Sequence, residues 1–229
     1  MSTAQQVKIT DPELLGLVKE VRGTLARELD WLFNNPNAQR KAVAYGNVID
    51  LKNKRAELRL ATLVYCHDVD AVIYPYMRLG IVADKGLRHL IENKAEELGL
   101  HLRPPTEVRR KTVRVNGWEV AVFGRADLEF VSDSGTVIPV EFKASTNSGT
   151  VERGRGQAAL YAWLYDAPLG VLIYGPRFTY ELVKRADEKT VKERVWLVLK
   201  HLIAGFKDFP CPTLKVELLS APPRLHPSD

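Results

Sequence analysis

At 229 residues with 45% hydrophobic content, the chain is long enough to bury a sizeable core as one domain with room for an extra lobe. No apolar run approaches about 18 residues and the opening MSTAQQVKIT lacks a signal-like apolar core, so no membrane span or secretion is expected and the location expected is cytoplasmic. Two cysteines, at 66 and 211, make neither a disulfide framework nor a C-x-x-C zinc site, while a formal charge of +5 and a pI near 9.1 suit a polyanionic partner.

The chain begins helical. Pro12 and the periodic Leu14, Leu17, Val18, Val21, Leu25, Leu29 and Leu32 predict an amphipathic helix ending at Asn34-Asn35-Pro36. A basic stretch over 40–59 leads to a second predicted helix over 56–74, and a third follows over 81–98. Residues 1–80 are therefore expected to form an N-terminal helical lobe before a mixed core over 81–209. Strands are predicted over 107–115, 118–131 and 136–143, with Asn116-Gly117 as the hairpin turn between the first two and Ser132-Asp133-Ser134-Gly135 before the third. A helix over 154–165, strands over 171–174 and 178–183, and a long helix over 188–206 complete the α/β pattern. The last helix carries Val191, Val195, Leu199, Leu202 and Ile203 on its predicted inner face. The proline-rich tail over 210–229 is expected to lie extended on the surface or disordered.

The most informative segment is Gly124-Arg125-Ala126-Asp127, followed by Glu141-Phe142-Lys143 and then Gln157 with Tyr161. Two strands joined by a tight turn lie side by side, so Asp127 and Glu141 converge at one end of a sheet. Strand periodicity puts Glu141 and Lys143 on one face and Val140 and Phe142 on the other. Hard cations such as Mg2+ and Mn2+ prefer carboxylate and carbonyl oxygens, which Asp127, Glu141 and the backbone of Phe142 offer. A lysine beside them can orient a water or stabilise charge developing on a phosphate, and Lys143 is the candidate. Gln157 and Tyr161 stand at i and i+4 and share one helix face. Taken singly, each part has an ordinary reading: a surface Glu–Lys pair, a turn aspartate, a core tyrosine beside a helix-entrance glutamine. The combination is what carries the chemistry. Arg153-Gly154-Arg155-Gly156 precedes Gln157 and is expected to open that helix, where a helix N-terminus and two guanidiniums can hold a phosphate. A second basic cluster, Arg103, Arg109, Arg110, Lys111 and Arg114, lies near the first strand, and its stretch from Arg109 to Lys111 has contact with a protein partner as an alternative role.

In this order G-x-x-D, E-x-K and Q-x-x-x-Y resemble the PD-(D/E)XK nuclease superfamily in its RecB-type form. The stretch over 84–92 resembles that family's G-x-x-H helix box, with His89 as its histidine. The resemblance implies a restriction-endonuclease-like core in which His89, Asp127, Glu141 and the carbonyl of Phe142 bind the metal. It implies Lys143 as the catalytic lysine, with Gln157 and Tyr161 supporting the site and contacting DNA. Upstream, Ala61-Thr62-Leu63-Val64-Tyr65-Cys66 resembles the entry segment of the CRISPR-associated RecB-like exonucleases that work with spacer-integration proteins. There a cysteine at this place begins a four-cysteine iron-sulfur site. This chain has only Cys66 and Cys211, so no such cluster is expected, and buried free thiols are the ordinary reading of both. The resemblance implies a Mg2+- or Mn2+-dependent DNA exonuclease acting on single-stranded or frayed ends, in spacer-precursor processing and antiviral defence. A RecB-like repair or viral nuclease and a catalytically idle DNA-binding scaffold are the alternatives.

Overall fold

Two mixed sheets flanked by helices make an α/β fold in the computed structural model, which describes residues 47–65, 86, 88, 91–93, 95, 101–175, 179–204 and 212–219. The first sheet contains β1 (Val48–Asp50), β2 (Arg55–Arg59), β4 (Arg109–Val115) and β5 (Trp118–Gly124), in the order β1-β2-β5-β4. The second contains β3 (Leu102–Arg103), β6 (Leu128–Val131), β7 (Val137–Lys143), β8 (Leu169–Tyr174), β9 (Thr179–Lys184) and β10 (Leu218–Leu219), in the order β10-β9-β8-β7-β6-β3. The parallel pairs are β2 with β5 and β7 with β8; the other pairings are antiparallel. Among the described residues they are joined by helices α1 (Leu60–Tyr65), α2 (Ser148–Leu164) and α3 (Glu188–Ala204). No helix among the described residues is long and apolar enough to cross a membrane.

Helix α2 lies between the two sheets, and its sequence explains why. Residues Gln157 to Leu164 are buried one after another, so the helix is enclosed all round and has no solvent face over its second half. Leu160, Tyr161, Trp163 and Leu164 pack with Val113, Trp118, Val120 and Val122 of the first sheet and Val191, Val195, Val198 and Leu199 of α3. Val151, Ala158 and Ala159 pack instead with Leu172 and Val183 of the second sheet. Each fully buried aliphatic side chain of this core contributes roughly 1.5–3 kcal/mol relative to an exposed one. The far face of the second sheet is covered at Leu128, Val140 and Phe142 by Ile91, one of the described helical residues in the stretch predicted to be helical over 81–98.

Several elements depart from expectation. Residues 55–59 form β2, because Ala56 and Leu58 alternate into the core, and the helix begins only at Leu60. Within the span 1–80 expected to form a helical lobe, the described residues 47–65 belong to the core: β2 pairs with β5, and α1 packs in the main core. The single strand predicted over 118–131 is two strands in different sheets, because the chain crosses from one sheet to the other at 125–127. Gly124 permits that crossing: a Cβ there would lie 3.0 Å from the Tyr161 ring and 3.1 Å from Leu60 Cβ. Helix α2 starts at Ser148 and not at 154, capped by Asn147, whose side-chain oxygen accepts from the backbone N–H groups of Gly149 (3.0 Å) and Thr150 (3.4 Å). In α3, Ile203 is 40% exposed, so the inner face ends with the half-buried Leu202. Within the tail, Leu214 is buried and residues 218–219 add an edge strand to β9, so this part of the tail is integral to the fold. The helix predicted from Leu14 to Leu32 and both cysteines lie outside the described residues.

Candidate active site

The site is built from the sheet ladder outward. Leu128 of β6 is opposite Val140 of β7. One residue earlier, the Asp127 N–H donates to the Val140 carbonyl at 3.2 Å, and Asp127 Oδ2 accepts from the Phe142 N–H at 2.9 Å. The carboxylate thus takes the ladder position that a further residue of β6 would have filled. Within a strand the N–H and C=O of one residue point to the same edge, so the Phe142 carbonyl is directed to the edge occupied by Asp127. On the opposite edge, the Lys143 carbonyl accepts from the Gly175 N–H at 2.8 Å. The other oxygen of Asp127, Oδ1, accepts from Arg88 Nη2 at 2.9 Å.

Glu141 and Lys143 alternate onto the face covered by α2, as the strand period requires. Glu141 is only 3% exposed, and Lys143 Nζ lies 2.5 Å from its Oε1. Burial by itself would push the Lys143 ammonium toward losing its proton, but Glu141, then Tyr65 and Asp127, outweigh it and hold the amine protonated well above its ordinary range. Lys143 is therefore held as an ammonium and hydrogen-bond donor beside Glu141. Helix α2 brings Gln157 and Tyr161 over the same place. Gln157 Oε1 accepts from the Tyr65 hydroxyl at 3.0 Å, and the Tyr65 ring lies under Lys143 Nζ at 6.0 Å from the centroid. Tyr161 stands edge-on to Tyr165, with centroids 6.4 Å apart. Burial, reinforced by Glu141 and Asp127, holds the Tyr161 hydroxyl in its neutral form.

Asp127, Glu141, Lys143, Gln157 and Tyr161 are thus brought together at one end of the second sheet. His89 lies outside the described residues. Two residues were missed. Tyr65 was read only as part of an entry segment, and its link to Gln157 spans 92 positions, beyond any periodic signal. Arg88 stands one residue before the histidine singled out, and its contact with Asp127 joins the helical stretch to the sheet.

The paired arginines part ways. Both sit inside α2 rather than at its N-terminus, so the helix-end phosphate site expected for them is not formed by this segment. Arg153 is exposed and its guanidinium lies over the Tyr65 ring, 5.7 Å from the centroid. Arg155 Nε and Nη2 donate to Glu181 at 2.7 and 2.8 Å, and its Nη1 to Glu152 at 2.9 Å. This bidentate pair ties α2 to β9, and Tyr174 adds a bond to Glu181 at 3.1 Å. Arg155→Ala is expected to destabilise the fold by about 2 kcal/mol, because it leaves a mostly buried carboxylate without its guanidinium. The bond from Arg155 holds the Glu181 carboxyl below its ordinary range, so its stabilisation is present above the unfolded carboxylate pKa and is lost as pH falls through the lower folded value. Urea denaturation at about pH 7 and about pH 3 checks this: the cost of Arg155→Ala should shrink markedly at the lower pH.

The donor set at the sheet end is two carboxylates and one backbone carbonyl, all hard oxygens, with Asp127 just before β6 and Glu141 on the adjacent β7. This chemistry fits a Mg2+- or Mn2+-type cation that keeps several waters. Among the described residues no group of three or more His, Cys, Asp and Glu side chains gathers, so Asp127 and Glu141 are the described side chains that could hold a cation here.

No protein-family model matches the chain. No curated protein matches it either. Among solved structures, the crystal structure of SSO0001 aligns with 82% of this chain and 87% of that one, at 17% identity and a TM-score of 0.48.

Proposed function

We propose that this chain is a metal-dependent nuclease of the PD-(D/E)XK type that hydrolyses phosphodiester bonds in DNA. The observation that carries the reading is the convergence at one sheet end of Asp127, Glu141 and a protonated Lys143, roofed by Gln157 and Tyr161 of α2. Asp127, Glu141 and the Phe142 carbonyl would hold the cation, with His89 as a further ligand on the strength of the motif. When bound, the cation supplies Lewis-acid polarisation of the scissile phosphate and lowers the pKa of a water.

The rest of the work falls to the chain. Lys143, held protonated, donates to the attacking water or to a phosphate oxygen and stabilises the negative charge that develops there. Tyr65 and Gln157 fix the space beside the ammonium through their mutual hydrogen bond. Neutral Tyr161 completes the roof beside the carboxylates without adding charge. An exonuclease acting on single-stranded or frayed ends, in CRISPR spacer-precursor processing, is the specific form proposed.

Purified protein with Mn2+ or Mg2+ should degrade end-labelled single-stranded DNA and spare a covalently closed single-stranded circle. Cutting of the circle would make it an endonuclease. Tight binding without cleavage on either substrate would favour a scaffold role.

A further inference from the structure

Among the described residues, the exposed arginines differ from one another in what they face. On β4, Arg109 pairs with Glu107, Arg110 with Glu57, Lys111 with Asp166 and Arg114 with Glu119. Each of these cations has a carboxylate beside it, so the cluster most visible in the sequence presents little net field. Arg59, Arg125 and Arg153 are different. All three are exposed, and no carboxylate among the described residues pairs with any of them.

Their positions converge on one place. Arg59 ends β2 opposite Phe123, one residue before Gly124, where an added Cβ would lie 3.0 Å from the Tyr161 ring. Arg125 follows Gly124 directly and stands two residues before Asp127 in the crossing between sheets. Arg153 lies over Tyr65, the same ring that carries Lys143 Nζ. The Tyr161 hydroxyl feels Glu141, Asp127 and Arg59 together, which is consistent with Arg59 standing at the carboxylate end of α2. Arg59, Arg125 and Arg153 thus stand, without a carboxylate partner among the described residues, on three elements that border the Asp127–Glu141 pair, itself balanced by Arg88 and Lys143.

Resting on the nuclease reading above, we propose that Arg59, Arg125 and Arg153 form a phosphate track along which a single nucleic-acid strand enters the site. Neighbouring backbone phosphates would be held by guanidiniums on β2, the sheet crossing and α2, while Lys143 faces the phosphate to be cut. The paired β4 cluster and Arg155 take no part.

Affinity for a fluorescent single-stranded oligonucleotide, measured by anisotropy in EDTA over a range of salt, tests this without turnover. Each contact with a single strand contributes about 0.7 to the slope of log K against log salt. Arg59→Ala, Arg125→Ala and Arg153→Ala should each flatten the slope by about that amount and the triple variant by about 2. Replacement by Lys at the same positions should retain most of the slope, and Arg110→Ala with Arg114→Ala should leave it unchanged. If the triple variant fails to fold, the three single variants at exposed positions give the same answer. An unchanged slope in these variants, a fall confined to the β4 double variant, or no binding by the wild-type protein would overturn the track. Flattening without any metal-dependent cleavage would leave the track standing and sink the nuclease reading; cleavage with unchanged slopes would do the reverse.

Discussion

Lys143→Ala is expected to lower metal-dependent cleavage of single-stranded DNA by about a hundred- to a thousand-fold, the usual cost of removing one preorganised stabiliser of transition-state charge. Asp127→Ala and Glu141→Ala should cause losses at least as large, for a different reason. They remove oxygen donors, so Mn2+ binding followed by calorimetry should weaken in both and survive in Lys143→Ala. Lys143→Ala should even favour cation binding slightly, because the ammonium 2.5 Å from Glu141 Oε1 no longer competes for that oxygen. Each substitution also disturbs the local structure. Asp127 accepts the Phe142 N–H and Arg88, and Glu141 is the nearest counter-charge of a buried lysine. Asp127→Asn and Glu141→Gln, which keep shape and some hydrogen bonding, separate loss of chemistry from loss of fold, with circular dichroism melting as the control. Wild-type rates in all three alanine variants would end the catalytic reading.

The part of this site that was legible in sequence is the part governed by short periods. Glu141 and Lys143 alternate with Val140 and Phe142 because the strand period is two, and Gln157 stacks with Tyr161 because the helix repeats near four. The β4–β5 hairpin was equally plain: Asn116 and Gly117 both take positive φ, 48° and 78°, as a two-residue turn matching strand twist requires. Other signals misled. Ala56-Glu57-Leu58 is too short to separate a strand from a helix, and pairing with β5 decides it. Gly154 and Gly156 read as the opening turn of a helix, yet both lie well inside α2, where they admit Leu172 and Lys143 on one side and Leu214 and Val64 on the other. Leu214 stands among prolines and shows no period, so its place in the core follows from the completed fold alone. Tyr65 and Arg88 reach the site through contacts 92 and 39 positions apart, which no local pattern encodes.

Those helix–sheet contacts carry the second large expected effect. At Gly170 of β8 an added Cβ would lie 2.3 Å from the Ala158 carbonyl oxygen and 2.9 Å from its carbon. Both are backbone atoms of α2, so no rotamer change relieves the clash, and the helix must move away from the sheet. Gly170→Ala is therefore expected to cost about 3 kcal/mol or more, at the upper end for overpacking, seen as a lowered urea midpoint. Gly154→Ala makes the informative contrast. Its methyl would meet Leu172 Cδ1 at 2.7 Å and Lys143 Cγ at 3.0 Å, both atoms of side chains that can rotate. The gain in helix propensity, about 1 kcal/mol, offsets part of the crowding, so stability should change by no more than about 1 kcal/mol. Turnover should fall further than that change accounts for, because the methyl displaces the stem of Lys143, the lysine proposed to face the phosphate. A Gly154→Ala protein with near-normal stability and clearly reduced cleavage would place the tolerance of this site at the Lys143 stem. Unchanged cleavage would mean that the ammonium keeps its position despite the shift.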